Sequence, residues 1–307
     1  MNLHLLTAAT PPELAGALAR LEEQFTYPLG PGRSFRVSHG DNYPRFFRAI
    51  GDAACLVAER GGEVLGVLAL AVTRLRTPGD DRAAVYLGDL KVAPAARGGR
   101  VLPRLAAAAR EWIGDRADCA YSVVMGGTAV TPDAYTGRMG IPPFRPVADV
   151  AVLRLPTAKG VDWVKWERDP ASGSECFSRL TSGRHSTTGG NPAERSEMSP
   201  LWLTAPDGSA CGRLEDTRRG KRLIADDGSE MMSAHLSCIG YRDAATLAEL
   251  LRVACGAAAS RGFPAVFAAV PPQLADVRIA GTVVAPATVF AAAIEPGGLW
   301  SVNTAEI

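Results

Sequence analysis

Between Tyr86 and Leu105 the chain reads YLGDLKVAPAARGGRVLPRL, and this stretch constrains the fold more than any other. An apolar run stops at Pro94, two glycines sit among arginines, and a helical pattern begins almost at once. A helix that starts directly after a strand leaves its first N–H groups without acceptors, and its dipole makes that end partly positive. Glycine there lets a ligand's oxygen atoms approach the backbone with no Cβ in the way. Such a terminus suits an anion, above all phosphate or pyrophosphate. Pro103 has no N–H and is tolerated only in a first turn, which predicts a helix start near Gly99 or Arg100. The free donors then lie on Gly98 to Leu102, flanked by Arg97 and Arg100 as charged partners. A plain strand-to-helix turn with solvated arginines fits the same spacing.

The stretch is not G-x-x-x-x-G-K-[ST], so triphosphate hydrolysis lacks its lysine and hydroxyl. Nor is it G-x-G-x-x-G, and no acidic residue sits on a following strand to hold a ribose. What remains is a pyrophosphate carrier bound beside an open strand.

The flanking pattern is mixed α/β. Residues 11–24 place Leu14, Leu18 and Leu21 on one helical face, and NYPRFFRAIGDA predicts a second short helix. Residues 54–75 read as a hairpin turning at Gly61-Gly62. AAVYLGDLKV is another strand, followed by a helix that buries Leu102, Leu105, Ala109, Trp112 and Ile113. CAYSVVMG is short and nearly all apolar, as expected for parallel pairing, and PPFRPVADVAVLRL closes the unit. From Pro156 to Pro200 the chain is rich in Ser, Gly, Pro and charge, which reads as a linker with a helical piece near WVKWERDP.

The remainder repeats the first half. LWLTAPDGSACGRLE has the hairpin layout of CLVAERGGEVLGVLA, with Gly62 matching Gly208 and Gly66 matching Gly212. Residues 245–272 match 100–127 at an offset of 145, pairing Leu102 with Leu247, Leu105 with Leu250 and Val124 with Ala269. Gly98 and Gly99 then fall opposite Asp243 and Ala244, and Asp89 falls opposite Ala234. Two ordinary strand–helix–strand units would give a similar match. A duplicated fold whose second copy lost its loop is the preferred reading, dividing the chain into 1–155, a linker 156–198, and a degenerate copy 199–307. A length of 307 residues suits two domains of roughly 150.

Composition excludes several classes. A formal net charge of +1 with interspersed acids leaves no electrostatic footprint for nucleic acid. No apolar run approaches the ~20 residues of a membrane span, and the start lacks the pattern of a signal peptide. A cytoplasmic location follows by default. The six cysteines show no C-x-x-C spacing and read as reduced, buried thiols. His4, His185 and His235 are scattered, so no metal site is expected. No G-x-S-x-G elbow argues for an α/β-hydrolase.

The stretch LGDLKVAPAARGGRVLPRL resembles the acetyl-coenzyme A motif of the GNAT superfamily of N-acetyltransferases. Val92, Pro94 and Arg97 match the family's V-x-P-x-x-R. Arg100 and Leu102 stand where the family has glycine or alanine, while Gly98 and Gly99 come slightly earlier. The resemblance covers about residues 1–155 and extends weakly to the second half. It implies a GNAT-like fold, acetyl-coenzyme A as cosubstrate, and direct acetyl transfer to an amine within one ternary complex. It implies pantetheine contacts along Leu90, Lys91 and Val92, with an oxyanion donor from the Leu90 or Lys91 N–H. It places the pyrophosphate on Arg97, Gly98, Gly99, Arg100, Val101 and Leu102.

The reaction needs a base for the amine and an acid for the departing thiolate. Asp89 interrupts an apolar strand, where half-burial should raise its pKa toward a useful range; pairing with Lys91 or an arginine is the alternative. Tyr135 stands near the family's acidic tyrosine, one residue out of register, with Tyr121 as the alternative donor or as a core aromatic. FRVSHGDNYPRFF offers His39, Asp41, Tyr43 and Arg45 for the acceptor, or is a solvated loop. A small-molecule amine is the expected acceptor, and the second copy would shape its cleft or a homodimer interface. The rival readings are a peptide acceptor and a non-catalytic acyl-coenzyme A sensor.

Overall fold

The computed structural model describes residues 1–28, 32–135, 137–138, 140–277 and 279–307. The first half contains β1 (Asn2–Leu6), α1 (Pro12–Glu22), β2 (Tyr27–Pro28), β3 (Ser34–Ser38) and α2 (Pro44–Arg48). It continues with β4 (Asp52–Arg60), β5 (Glu63–Arg76), β6 (Asp81–Val92), α3 (Val101–Ile113), β7 (Cys119–Met125) and β8 (Arg145–Pro156). Next come β9 (Glu167–Arg168), α4 (Pro170–Leu180), β10 (His185–Thr187) and α5 (Pro192–Arg195). The second half has β11 (Leu201–Thr204), β12 (Ala210–Glu215), β13 (Arg222–Ala225), β14 (Ala234–Tyr241) and α6 (Ala244–Ala259). It ends with β15 (Ala265–Val270), β16 (Val283–Ala292) and β17 (Trp300–Ser301).

The β4–β5 hairpin forms as expected, because Gly61 and Gly62 both take the positive φ that its tight turn requires. α3 lays Leu105 and Ala109 on the sheet, and a Cβ on Gly66 would stand only 2.7 Å from the Val101 side chain. Burying Leu105 completely contributes about 2 kcal/mol. α1 and α2 cover the opposite face with Leu18, Leu21, Phe46 and Phe47. No described helix is long and apolar enough to cross a membrane.

Among the described residues, fourteen strands share one sheet, whose main path runs β1-β4-β5-β6-β7-β16-β8-β15-β14-β12-β11-β9. β8, expected to close the first half, pairs with β15 and β16 of the second. β16 in turn pairs with β7 of the first. The halves thus exchange strands. The expected linker 156–198 is also corrected: it holds α4 and α5, and β10 bonds to β5. Its polar residues are those of helix caps and turns; Asp169, for example, accepts from the Ala171 and Ser172 amides at 3.0 Å. Meanwhile Trp166 and Phe177 are buried.

The pairing aligns the two halves and shifts two of the expected matches: Gly212 falls with Leu68 rather than Gly66, and Asp89 also finds another partner. β6 carries a bulge in which Asp89 and Leu90 oppose Leu68 alone, and β14 carries one in which Cys238 and Ile239 oppose Gly212. Asp89 and Cys238 both hold a left-handed φ, at 54° and 51°. Cys238, not Ala234, is therefore the counterpart of Asp89. The fixed offset failed because the second copy passes from Tyr241 to Ala244 where the first takes Val92 to Val101.

Candidate active site

β6 and β7 pair in parallel only from Ala84–Cys119 to Tyr86–Tyr121. Beyond that point β6 continues to Val92 and β7 to Met125 without pairing to each other, so the two strands splay into a wedge. The bulge at Asp89 bends β6 at this wedge, and Leu90 beside it is 41% exposed. At the far end of β6 lies a single 3-10 turn (Pro94–Ala96), then Gly98 at φ 75° and the start of α3.

The helix starts at Val101, a residue or two later than the proline implied, with Arg100 in the capping position. The Gly99 amide donates to Ala96 O at 3.4 Å, which removes it from the free donors. Gly98, Arg100, Val101 and Leu102 have no backbone acceptor among the described residues. Arg97 and Arg100 are exposed, and the first turn holds no acid. α6 is built the other way. The Asp243 carboxylate accepts from the Thr246 amide at 2.9 Å, and the Thr246 hydroxyl accepts from the Asp243 amide. The second copy thus supplies its own anion.

Beneath the bulge is a buried polar cluster. The Lys91 ammonium lies 2.5 Å from Asp89 Oδ1 and 3.8 Å from Glu22 Oε1, and the Tyr43 hydroxyl donates to Asp89 Oδ2. His39 Nδ1 lies 2.6 Å from Glu22 Oε1 and 3.7 Å from Asp89 Oδ2. Burial pushes Asp89 upward, yet the Lys91 ammonium, His39 and the Tyr43 and Lys91 hydrogen bonds overcome it and hold the carboxyl at about 2. The raised pKa expected of Asp89 is therefore corrected: its charge is paired, as in the alternative reading. Burial and then Asp89 lift the Tyr43 phenol well above its usual range, while burial lifts Tyr27 to about 12. Lys91 is held charged: burial alone would lower it, but Asp89, Tyr27 and Glu22 together outweigh that.

Glu22, His39 and Asp89 bring ligand-type atoms within 4.8 Å of one another. The Lys91 ammonium already supplies the positive charge between their carboxylates, which disfavours a metal cation there.

The expected residues divide. His39, Tyr43, Asp89 and Lys91 come together, whereas Asp41 is exposed and outside the cluster's hydrogen bonds. Tyr135 lies in the 3-10 turn Pro132–Tyr135, also outside those bonds. Tyr121 is buried at the closed end of the wedge, its ring 5.4 Å from Tyr86, with no partner for its hydroxyl among the described residues. It lines a cavity of about 20 Å³ with Leu75, Tyr86, Val123 and Trp300. Glu22 was missed, although its position four residues after Leu18 puts a carboxylate on the apolar face of α1. Lys221 was missed as well. It is buried, its ammonium sits 4.2 Å from the Phe46 ring centre and donates to Ile307 O, and burial holds it down at about 7.

No protein-family model matches the sequence, and no curated protein matches it. Solved structures do match in fold. N-myristoyltransferase from Saccharomyces cerevisiae, solved with bound myristoyl-CoA, aligns over 99% of this chain and 82% of its own, with a TM-score of 0.63 and 11% identity. A GCN5-related N-acetyltransferase from Sphaerobacter thermophilus aligns over 98% of both chains, with a TM-score of 0.57 and 18% identity. A second, from Anabaena variabilis, covers 94% of this chain and 72% of its own, with a TM-score of 0.50 and 12% identity. The fold is shared with these GCN5-related N-acetyltransferases and with N-myristoyltransferase.

Proposed function

We propose that the chain is an N-acyltransferase that moves the acetyl group of acetyl-coenzyme A to the primary amine of a small molecule within one ternary complex. One observation carries this: the splayed β6–β7 wedge ends at an uncapped, arginine-flanked helix terminus. Pyrophosphate fits the amides of Gly98 and Arg100 to Leu102, with Arg97 and Arg100 as counter-charges. The pantetheine arm then runs back along Val92, Lys91 and Leu90 toward the bulge. A backbone N–H of Leu90 or Lys91 faces the developing oxyanion. Tyr135 gives the departing thiolate its proton, with Tyr121 as the alternative. The structural neighbours, two N-acetyltransferases and a myristoyltransferase solved with myristoyl-CoA, support a coenzyme A thioester as donor.

The myristoyltransferase likeness spans nearly the whole chain and favours a second reading, a peptide amine as acceptor. The test is release of free thiol from acetyl-, octanoyl- and myristoyl-coenzyme A with a panel of small amines and amino-terminal peptides. Amine-dependent release that is fastest with the acetyl thioester and a small amine is expected. Binding of coenzyme A without release by any acceptor would instead identify a sensor.

A further inference from the structure

We propose that His39, held by Glu22, is the catalytic residue that takes the proton from the acceptor amine; this rests on the N-acyltransferase reading. Asp89 is ill suited to that task, since Lys91 occupies one oxygen and Tyr43 the other. His39 is differently placed. Glu22 grips it at two points, Oε1 facing Nδ1 at 2.6 Å and Oε2 accepting from the His39 backbone amide at 3.2 Å. A carboxylate can only accept, so Nδ1 carries a proton in either charge state, and in the neutral ring Nε2 keeps its lone pair. That lone pair is buried and meets no partner among the described residues. His39 itself is only 4% exposed. A buried polar atom left unpaired costs free energy, which a proton-bearing ligand would recover.

The surroundings fix the ring. Tyr43 packs on it at 4.4 Å, Phe47 stacks at 5.3 Å and Phe46 meets it edge-on at 5.6 Å. The charged and titratable groups facing it are Glu22 from α1, Asp89 and Lys91 from β6, and Tyr43 at the start of α2. His39 Nδ1 lies 3.7 Å from Asp89 Oδ2, which sets the ring beside the residue that precedes Leu90, where the proposed function puts the thioester. A base oriented by a carboxylate beside the reacting carbon is the arrangement that acyl transfer uses elsewhere. An imidazole also suits a base working near neutral pH.

In the step, the ammonium loses one proton to Nε2, directly or through one water. Its nitrogen bonds to the thioester carbon as the C–S bond breaks. The second proton from that nitrogen ends on sulfur, and His39 releases the first to water, giving amide, thiol and one proton.

The experiment measures thiol release and acetyl-coenzyme A binding for wild type, His39→Gln, His39→Ala and Glu22→Gln. His39→Gln should lower kcat by a factor on the order of 100 or more, leaving KM and Kd for acetyl-coenzyme A unchanged. Added imidazole should restore part of the His39→Ala rate. Glu22 acts as a positioning residue, so Glu22→Gln should lower kcat without raising KM. A nitrogen-15 histidine spectrum of the wild type should show the His39 proton on Nδ1, a readout that needs no variant to fold. The proposal is overturned by a wild-type kcat in His39→Gln, by a proton on Nε2, or by wild-type activity that a chelator abolishes. If wild type binds no acetyl-coenzyme A, or releases no thiol with any amine, the acyltransferase reading itself falls and takes this proposal with it.

Discussion

At Asp89 two effects of opposite sign meet: burial favours the neutral acid, whereas the Lys91 ammonium 2.5 Å away favours the carboxylate. Together with His39 and the hydrogen bonds from Lys91 and Tyr43 the ammonium wins, and the folded carboxyl titrates at about 2. An unfolded aspartate titrates near 3.9, so the pairing supports the fold above about pH 4 and that support fades as pH falls toward 2. The difference corresponds to about 2 kcal/mol. Asparagine tolerates the left-handed φ that Asp89 adopts, so Asp89→Asn removes the charge without straining the bulge. Urea unfolding should show Asp89→Asn less stable than wild type by about that amount at pH 7, the gap narrowing below pH 4. A gap that stays constant with pH would mean the ion pair does not form. The sequence displayed Asp89 as a break in an apolar strand, and His39 and Tyr43 as a polar loop. It did not display the bulge, because a left-handed aspartate leaves no glycine to mark it. Pairing with Lys91 was open from the sequence, but the inward turn of its ammonium to Asp89 Oδ1 was not.

Elements with a local cause were legible: the Gly61-Gly62 hairpin, the apolar stripe of α3 and the parallel strand at 119–125. What distinguishes the two copies is equally local, though it needed the structure to be seen. α3 opens with glycine and arginine and no cap; α6 opens with Asp243 bonded to Thr246. The second bulge is also filled, since the Cys238 amide donates to Asn303 Oδ1 at 2.7 Å. Two substitutions separate the roles. Gly98→Val forces a branched side chain into φ 75°, although space around it is open, at a cost of about 1–3 kcal/mol. Calorimetry should find acetyl-coenzyme A binding weakened about tenfold or more. Asp243→Ala removes a cap and should lower stability by about 1 kcal/mol with no change in that affinity. Equal effects on affinity at both places would mean that the active copy is misassigned.

At the scale of the whole molecule, strand exchange makes the two halves one folding problem. Among the described residues β8 pairs with β15 and β16 alone, and the outer edge of β7 is covered by β16. The seam is polar as well as hydrogen-bonded. Arg195 is fully buried against Glu215, with Glu306 3.8 Å away, joining the bridging segment to the chain's last turn. Sequence patterns could not reveal this exchange, because β7, β8, β15 and β16 are all apolar strands and any of them could pair with any other. Residues 1–198 expressed alone would expose both edges of β8 and one of β7, long apolar edges that invite aggregation. That fragment should be insoluble, and co-expression with residues 199–307 should return a soluble complex. The intact chain should unfold in one transition, with tryptophan fluorescence and circular dichroism coincident, since neither half has a complete sheet to retain. A soluble 1–198 fragment with dispersed amide signals would show that β7 and β8 can satisfy each other without the second half, and the exchange would then be a late docking step rather than a condition of folding.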